Sequence, residues 1–298
     1  MALEEHVSKV ARRLRDVIEP VVGQVYFAPE CHEQYVAMGF APSPVTSGRV
    51  AMPDGAAYFT SRGSCLGQVP GEVVAAAFAV FNPAAVIPSV AYGWSLTDAA
   101  TIAAARTRGG TGQLRRIVGE APPALARAKE LLQRATDGLR PEGRPLYAGL
   151  LSLGLPSDPL GEVWRLGDLL REYRGDAHTA AWVSAGLDAT EIGLLTELYW
   201  NIPMRTYVRT RAWSNEDLDA AEERLRQRGL LDGQGFSESG RALREGIEVA
   251  TDRQMASVVD ALGDDAKELF GILSPWGEAI RSAGGYPASP RDLIRAPR

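Results

Sequence analysis

Arg171, Arg174 and His178 stand at i, i+3 and i+7 in the string REYRGDAH, with Glu172 and Asp176 at i and i+4. On a helix this spacing crowds five ionisable side chains into two turns beside an apolar stripe. An imidazole titrates near neutral pH, so His178 could act as a general acid or base, oriented by Asp176 or Glu172, while Arg174 holds an anionic substrate. The same residues could instead form ion pairs along one helix at a domain or subunit interface. Gly175 in their midst costs about 1 kcal/mol in a helix interior and marks close backbone approach.

A second group, Tyr26, Glu30, Cys31 and His32, lies at the start of another helix. A metal site needs more ligands at a recognisable spacing, and with His6, His32 and His178 the only histidines, no metal is expected. A third group sets Tyr199, Trp200, Tyr207 and Trp213 among Arg205, Arg209 and Arg211. These read as core aromatics with snorkelling arginines. Where they face a cavity, Trp200 and Arg205 are the candidates for holding a flat aromatic or anionic ligand. There is no G-x-S-x-G elbow, and no phosphate-binding glycine motif follows an expected strand, so neither a serine hydrolase nor a nucleotide cofactor is expected.

Helices must position these groups. Leu3, Val7, Val10, Leu14, Val17 and Val21 recur at helical steps, giving an amphipathic first helix that ends near Pro20. A second helix follows over 29–38, with Gly39 as its cap, and the Gly-, Pro- and Ser-rich stretch 38–71 reads as a long loop. Helical patterns resume at 72–81, 83–92 and 97–107, the last closed by Gly109 and Gly110, and then at 112–118 and 123–135. Pro and Gly gather over 137–159, the best linker, and divide the chain into a helical domain at 1–150 and a second domain at 151–298. Asp158 and Pro159 open the long helix that carries the ionisable cluster, and Asp188 and Glu191 form a capping box for the next. A short helix near 203–213, a helix capped by Ser214 and Asp217, a hairpin turning at Gly233 and Gly235, and a long helix over 240–262 complete the order of a winged helix. The fold class expected is mainly α.

Hydrophobic residues make up 45% of the chain and charged residues 23%, the balance of an ordinary globular protein. The apolar run Val73–Phe81 is too short to cross a bilayer, the N-terminus lacks the form of a secretion signal, and Cys31 and Cys65 make no disulfide framework. A cytoplasmic location without membrane partners is expected. The net charge of −5 argues against a protein that coats nucleic acid.

The segment 188–252 resembles the DNA-binding core of MarR-type regulators. The marks are Arg228, Gly229, Leu230, Leu231 and Asp232 before the hairpin, then Ser237, Gly240, Arg241, Ala242 and Leu243 after it. The whole chain also resembles an actinobacterial family labelled helix-turn-helix, whose recurring strings stand here as Tyr26 to Glu30, Arg171 to His178 and Ala250 to Arg253. That family more often has His in place of Tyr173 and Gly in place of Ala177. The resemblance implies a winged helix, and the terminal helices, with their apolar stripes, are expected to pair two subunits into a homodimer.

A recognition helix normally meets the major groove with polar or basic residues at its N-terminal end, whereas this one begins Asn215, Glu216, Asp217, Leu218, Asp219 and continues to Glu222 and Glu223. The hairpin adds no arginine. DNA binding is therefore disfavoured, although Glu216 and Asp217 also suit the positive end of the helix dipole and Arg205, Arg209 and Arg211 could contact DNA instead. The sequence points to a small-molecule-binding protein with its pocket between the halves. Any reaction would be metal-free acid/base chemistry at Arg174, Asp176 and His178, with Tyr26, Glu30, Glu172, Trp200 and Arg205 touching the ligand. The alternative is a ligand-responsive, MarR-like DNA-binding regulator.

Overall fold

The computed structural model describes residues 2–294 apart from 44, 45, 48 and 49. Its helices, in chain order, are α1 (Ala2–Gly23), α2 (Pro29–Ala37), α3 (Gly55–Gly63), α4 (Gly71–Phe78), α5 (Pro83–Leu96), α6 (Ala99–Val118), α7 (Leu125–Thr136) and α8 (Pro145–Ser152). They continue with α9 (Pro159–Ser184), α10 (Ala189–Tyr199), α11 (Asn215–Gln227), α12 (Glu238–Arg253), α13 (Ala256–Leu262), α14 (Ala266–Ser282) and α15 (Pro290–Ile294). Two short antiparallel pairs interrupt them. Strands β1 (Thr46–Ser47) and β2 (Val50–Ala51) precede α3, and β3 (Leu231–Asp232) and β4 (Gly235–Phe236) join α11 to α12. The fold is thus mainly helical, as expected. No helix among the described residues is long and apolar enough to cross a membrane.

The centre is α9. Its sides are buried against α1, α7, α8 and α12, which requires apolar residues around most of its circumference. Trp164, Leu166 and Leu170 enter a large core shared with α1 to α8, α13 and α14, while Ala181 and Trp182 enter a smaller one made by α10, α11, the β3–β4 hairpin and Ile247 of α12. One rigid rod therefore belongs to both cores.

Several boundaries depart from the sequence expectations, each for a packing reason. Pro20 does not end α1, which runs on to Gly23; the proline ring rests against Gly277 of α14, where a Cβ would lie 2.8 Å from it. Burial of Val7, Leu14, Val17 and Val21 against α9 and α14 outweighs one missing N–H near the helix end. Most of the stripe expected to join two subunits is thereby covered within one chain, while Leu3 stays exposed. Gly109 and Gly110 do not close α6. A Cβ on Gly109 would meet Cys31 Sγ at 2.5 Å and one on Gly110 would meet Val25 at 2.9 Å, so these glycines let α2 and the preceding turn approach the helix.

The stretch 38–71 is not all loop, because Asp54 accepts the Ala57 N–H and caps α3. A helix, α8, also stands within the expected linker. Conversely, the single helix expected over 240–262 is two. The Gln254 side-chain amide donates to the Ala177 carbonyl at 3.0 Å and Met255 is buried, which bends the chain between α12 and α13. The expected caps at Asp158, Asp188 with Glu191, and Ser214 with Asp217 all form, and Ser237 caps α12 as well.

Candidate functional site

The ionisable residues of α9 do not chiefly pair along their own helix. Apart from an Arg171 to Glu172 contact at 2.8 Å, each reaches a different neighbour. Arg171 pairs with Glu19 of α1 at 3.0 Å. Glu172 accepts from Arg62 of α3 at 3.1 and 2.9 Å. Arg174 bridges Glu248 and Asp252 of α12 at 3.0 and 3.1 Å. Asp176 accepts the Tyr147 N–H at the start of α8 at 3.0 Å, and His178 Nδ1 lies 3.0 Å from Thr251 Oγ1. Side chains at successive angles around one central helix thus fasten α1, α3, α8 and α12.

Between α1, α3, α9 and the α12–α13 turn lies a cavity of about 190 Å³. Leu14, Ile18, Leu170 and Met255 form its apolar wall, and Arg15, Glu19, Arg62, Arg171, Glu172, Arg174 and His178 its polar one. The hydroxyl of Thr251 lies 2.8 Å from the Ile247 carbonyl as well as 3.0 Å from His178 Nδ1. With its proton on the Ile247 carbonyl, Thr251 accepts from His178 Nδ1–H, and this arrangement favours that tautomer. The His178 Nε2 has no partner among the described residues and is not sealed from solvent. Burial lowers the His178 pKa to about 4, outweighing the nearby Glu248 carboxylate, so the imidazole in the cavity lining is neutral.

The carboxylates of α9 are shifted in opposite directions. Burial alone would raise Glu172, but Arg62 and Arg171 overcome it and hold the group at about 2. Burial pushes Asp176 up to about 7 against the N–H groups of α8 that it accepts.

Tyr26 is buried beside this network, its hydroxyl 3.5 Å from Glu172 and receiving Arg171 at 3.3 Å and Arg106 at 3.4 Å. Burial raises its phenol to about 12 despite the guanidiniums. Of the residues singled out from sequence, Glu172, Arg174 and His178 line this cavity, while Tyr26 touches Glu172 from outside it. Asp176 points to α8 and does not orient His178, a task done by Thr251. Glu30 lies on the surface with Arg116 at 2.6 Å. Trp200 is 39% exposed with its ring 4.9 Å from that of Tyr207, and Arg205 is held by Asp219 at 2.6 Å and by Glu222. Cys31 and Cys65 are free, buried thiols, each raised to about 12 by burial and so not nucleophiles. No group of three or more His, Cys, Asp or Glu able to hold a metal occurs among the described residues.

Sequence reasoning missed Arg62, Glu19 and Glu248, and met Asp252 only inside the string Ala250 to Arg253. Arg62 was hidden in a stretch too rich in Gly and Ser to read as a helix, while Glu248 and Asp252 at i and i+4 were a legible pair.

The three strings Tyr26 to Glu30, Arg171 to His178 and Ala250 to Arg253 meet here through Tyr26, Arg174, His178, Thr251 and Asp252. Residues 11–287 match the helix-turn-helix family. The chain belongs to that family. No curated protein and no solved structure matches it. In this helix-turn-helix protein the face of α11 turned to solvent carries Glu216, Asp219 and Glu223. The nearby arginines are committed to protein carboxylates: Arg224 to Asp188 and Glu191, Arg226 to Glu222, Arg228 to Glu191. The tip of the β3–β4 hairpin, Asp232 to Gly235, has no basic residue.

Proposed function

We propose that this is a small-molecule-binding protein built on a MarR-type winged helix, with its ligand in the cavity beside His178. The observation that carries this reading is His178 in the lining of a cavity with one apolar wall, a neutral imidazole whose Nε2 has no partner among the described residues and is therefore open to accept from a ligand. Each cavity guanidinium already faces a carboxylate: Arg15 with Asp16, Arg62 with Glu172, Arg171 with Glu19 and Arg174 with Glu248. The ligand that fits is therefore small and uncharged, with an O–H or N–H for Nε2 and an apolar body against Leu14, Ile18, Leu170 and Met255.

Binding is better supported than catalysis. An imidazole with a pKa of about 4 is unprotonated at neutral pH but is a weak base, and a hydroxyl, not a carboxylate, stands behind it. The winged-helix reading rests on the order α10, α11, β3–β4, α12 and on Gly240, whose absent Cβ would lie 1.9 Å from the Leu230 carbonyl and so allows the hairpin to seat on α12.

Screening neutral small molecules by thermal shift against wild type and His178→Leu tests the proposal. Compounds that stabilise the wild type should lose about tenfold in affinity when the acceptor goes. Hits indifferent to the substitution would sink the idea. Membership of the helix-turn-helix family favours a second reading, a DNA-binding regulator whose effector occupies this cavity, and the acidic face of α11 weighs against it.

A further inference from the structure

A second cavity, of about 260 Å³, lies on the far side of the Glu19–Arg171 pair, which lines both. Its walls are aromatic: Tyr26, Phe27, Tyr58, Phe81, Tyr207 and Tyr286. The rings meet mostly edge to face or tilted, Phe27 on Tyr286 at 5.6 Å and Tyr58 on Phe81 at 5.7 Å, so the cavity they wall offers ring edges and faces to a flat ring.

Two guanidiniums reach this cavity and they differ. Arg171 is neutralised by Glu19 and Glu172. Arg211 has no carboxylate partner among the described residues; it lies over Phe81 at 4.5 Å and Tyr207 at 4.6 Å and donates to the Tyr207 hydroxyl. A cation fixed by ring faces, with its charge uncompensated at the wall of a cavity, calls for an anion that can take two N–H bonds in a plane. We propose that this cavity binds a planar aromatic carboxylate, its rings among the tyrosines and phenylalanines and its carboxylate on Arg211.

The site also touches the approach to α11. The Arg211 carbonyl accepts the Asn82 N–H at 2.9 Å, the Asn82 side chain donates to the Ala212 carbonyl at 3.0 Å, and the Trp213 indole donates to Val80 at 3.0 Å. Residues 208–213 are thereby pinned to the α4–α5 turn, and an anion on Arg211 tightens the same segment. Occupancy of this cavity is thus coupled to the anchoring of α11.

Titration calorimetry with naphthoate and its neutral amide, naphthamide, tests the site on the whole protein. Wild type should bind naphthoate about tenfold more tightly than naphthamide, and Arg211→Gln should abolish that preference while leaving naphthamide affinity unchanged. Naphthoate should also slow hydrogen exchange at the Thr210 and Ala212 amides, which bond to the Tyr207 and Arg209 carbonyls. That measurement needs only the wild type and decides the matter if the variant does not fold. Equal affinity for the two compounds, a preference that survives Arg211→Gln, unaltered exchange at those amides, or no naphthoate binding up to about millimolar concentration overturns the proposal.

Discussion

Arg62 grips Glu172 with two nitrogens, at 3.1 and 2.9 Å, so a single carboxylate buried on α9 anchors α3 across the core. Removing one partner of such a pair leaves the other charge uncompensated in a medium that solvates it poorly. Glu172→Gln should lower unfolding free energy by about 3 kcal/mol in urea titrations, and adding Arg62→Met should restore part of the loss. Because Glu172 titrates at about 2 when folded, below its ordinary range, its contribution is full above about pH 4.5 and is lost as the pH falls toward 2. A double variant no more stable than the single one would show that Arg62 is not the partner that matters.

His178 and Asp176 should pull stability in opposite directions over one pH window. The folded His178 pKa of about 4 lies below its ordinary value, so the unfolded chain binds more protons and stability falls as the pH drops from about 6.5 to 4. The folded Asp176 pKa of about 7 lies above its ordinary value, so stability rises as the pH drops from about 7 to 4. Each slope is at most about 1.4 kcal/mol per pH unit. Relative to wild type, Asp176→Asn should gain stability as the pH rises through this window, and His178→Gln should gain as it falls. Difference curves from urea titrations at stepped pH remove every other group, and curves parallel to wild type would refute both shifts.

How much of this was legible is clear from particular elements. The caps at Asp158, Asp188 and Ser214 and the stripe on α1 depend on neighbours a few residues away, and local sequence specifies them. The path of α6 through Gly109 depends on Cys31, far off in sequence, and a glycine that admits a neighbour reads the same as one that ends a helix. The cluster on α9 was legible as chemistry, but not its partners. Asp176 and His178 are adjacent in sequence reasoning, yet the helix turns them to α8 and α12. Arg211 was visible among its aromatics, while its lack of a carboxylate partner is a tertiary fact.

The acidic face of α11 predicts the outcome of selecting bound genomic fragments at about 0.15 M salt, where non-specific attraction to phosphate is weak. No sequence should be enriched. Replacing Glu216, Asp219 and Glu223 with Lys should create salt-sensitive, sequence-independent binding, because each lysine that meets a phosphate steepens the salt dependence by about one counterion. A palindromic site enriched by the wild type would instead place recognition on the arginines around 205–211 and favour the regulator reading.

One substitution at two glycines should have opposite signs. Gly109 lies inside α6, and a Cβ there would stand 2.5 Å from Cys31 Sγ and 2.6 Å from Cys31 Cα, where backbone must move. Gly109→Ala should cost about 2 kcal/mol and loosen α2 from α6. Gly246 lies inside α12, is exposed, and a Cβ there meets nothing within 4 Å. Gly246→Ala should therefore stabilise by about 0.5–1 kcal/mol, since alanine restricts the unfolded chain and favours the helix. Urea titration of the two single variants checks both signs. If Gly109→Ala were also stabilising, the close crossing of α2 over α6, and with it the placement of Tyr26 beside Glu172, would be wrong.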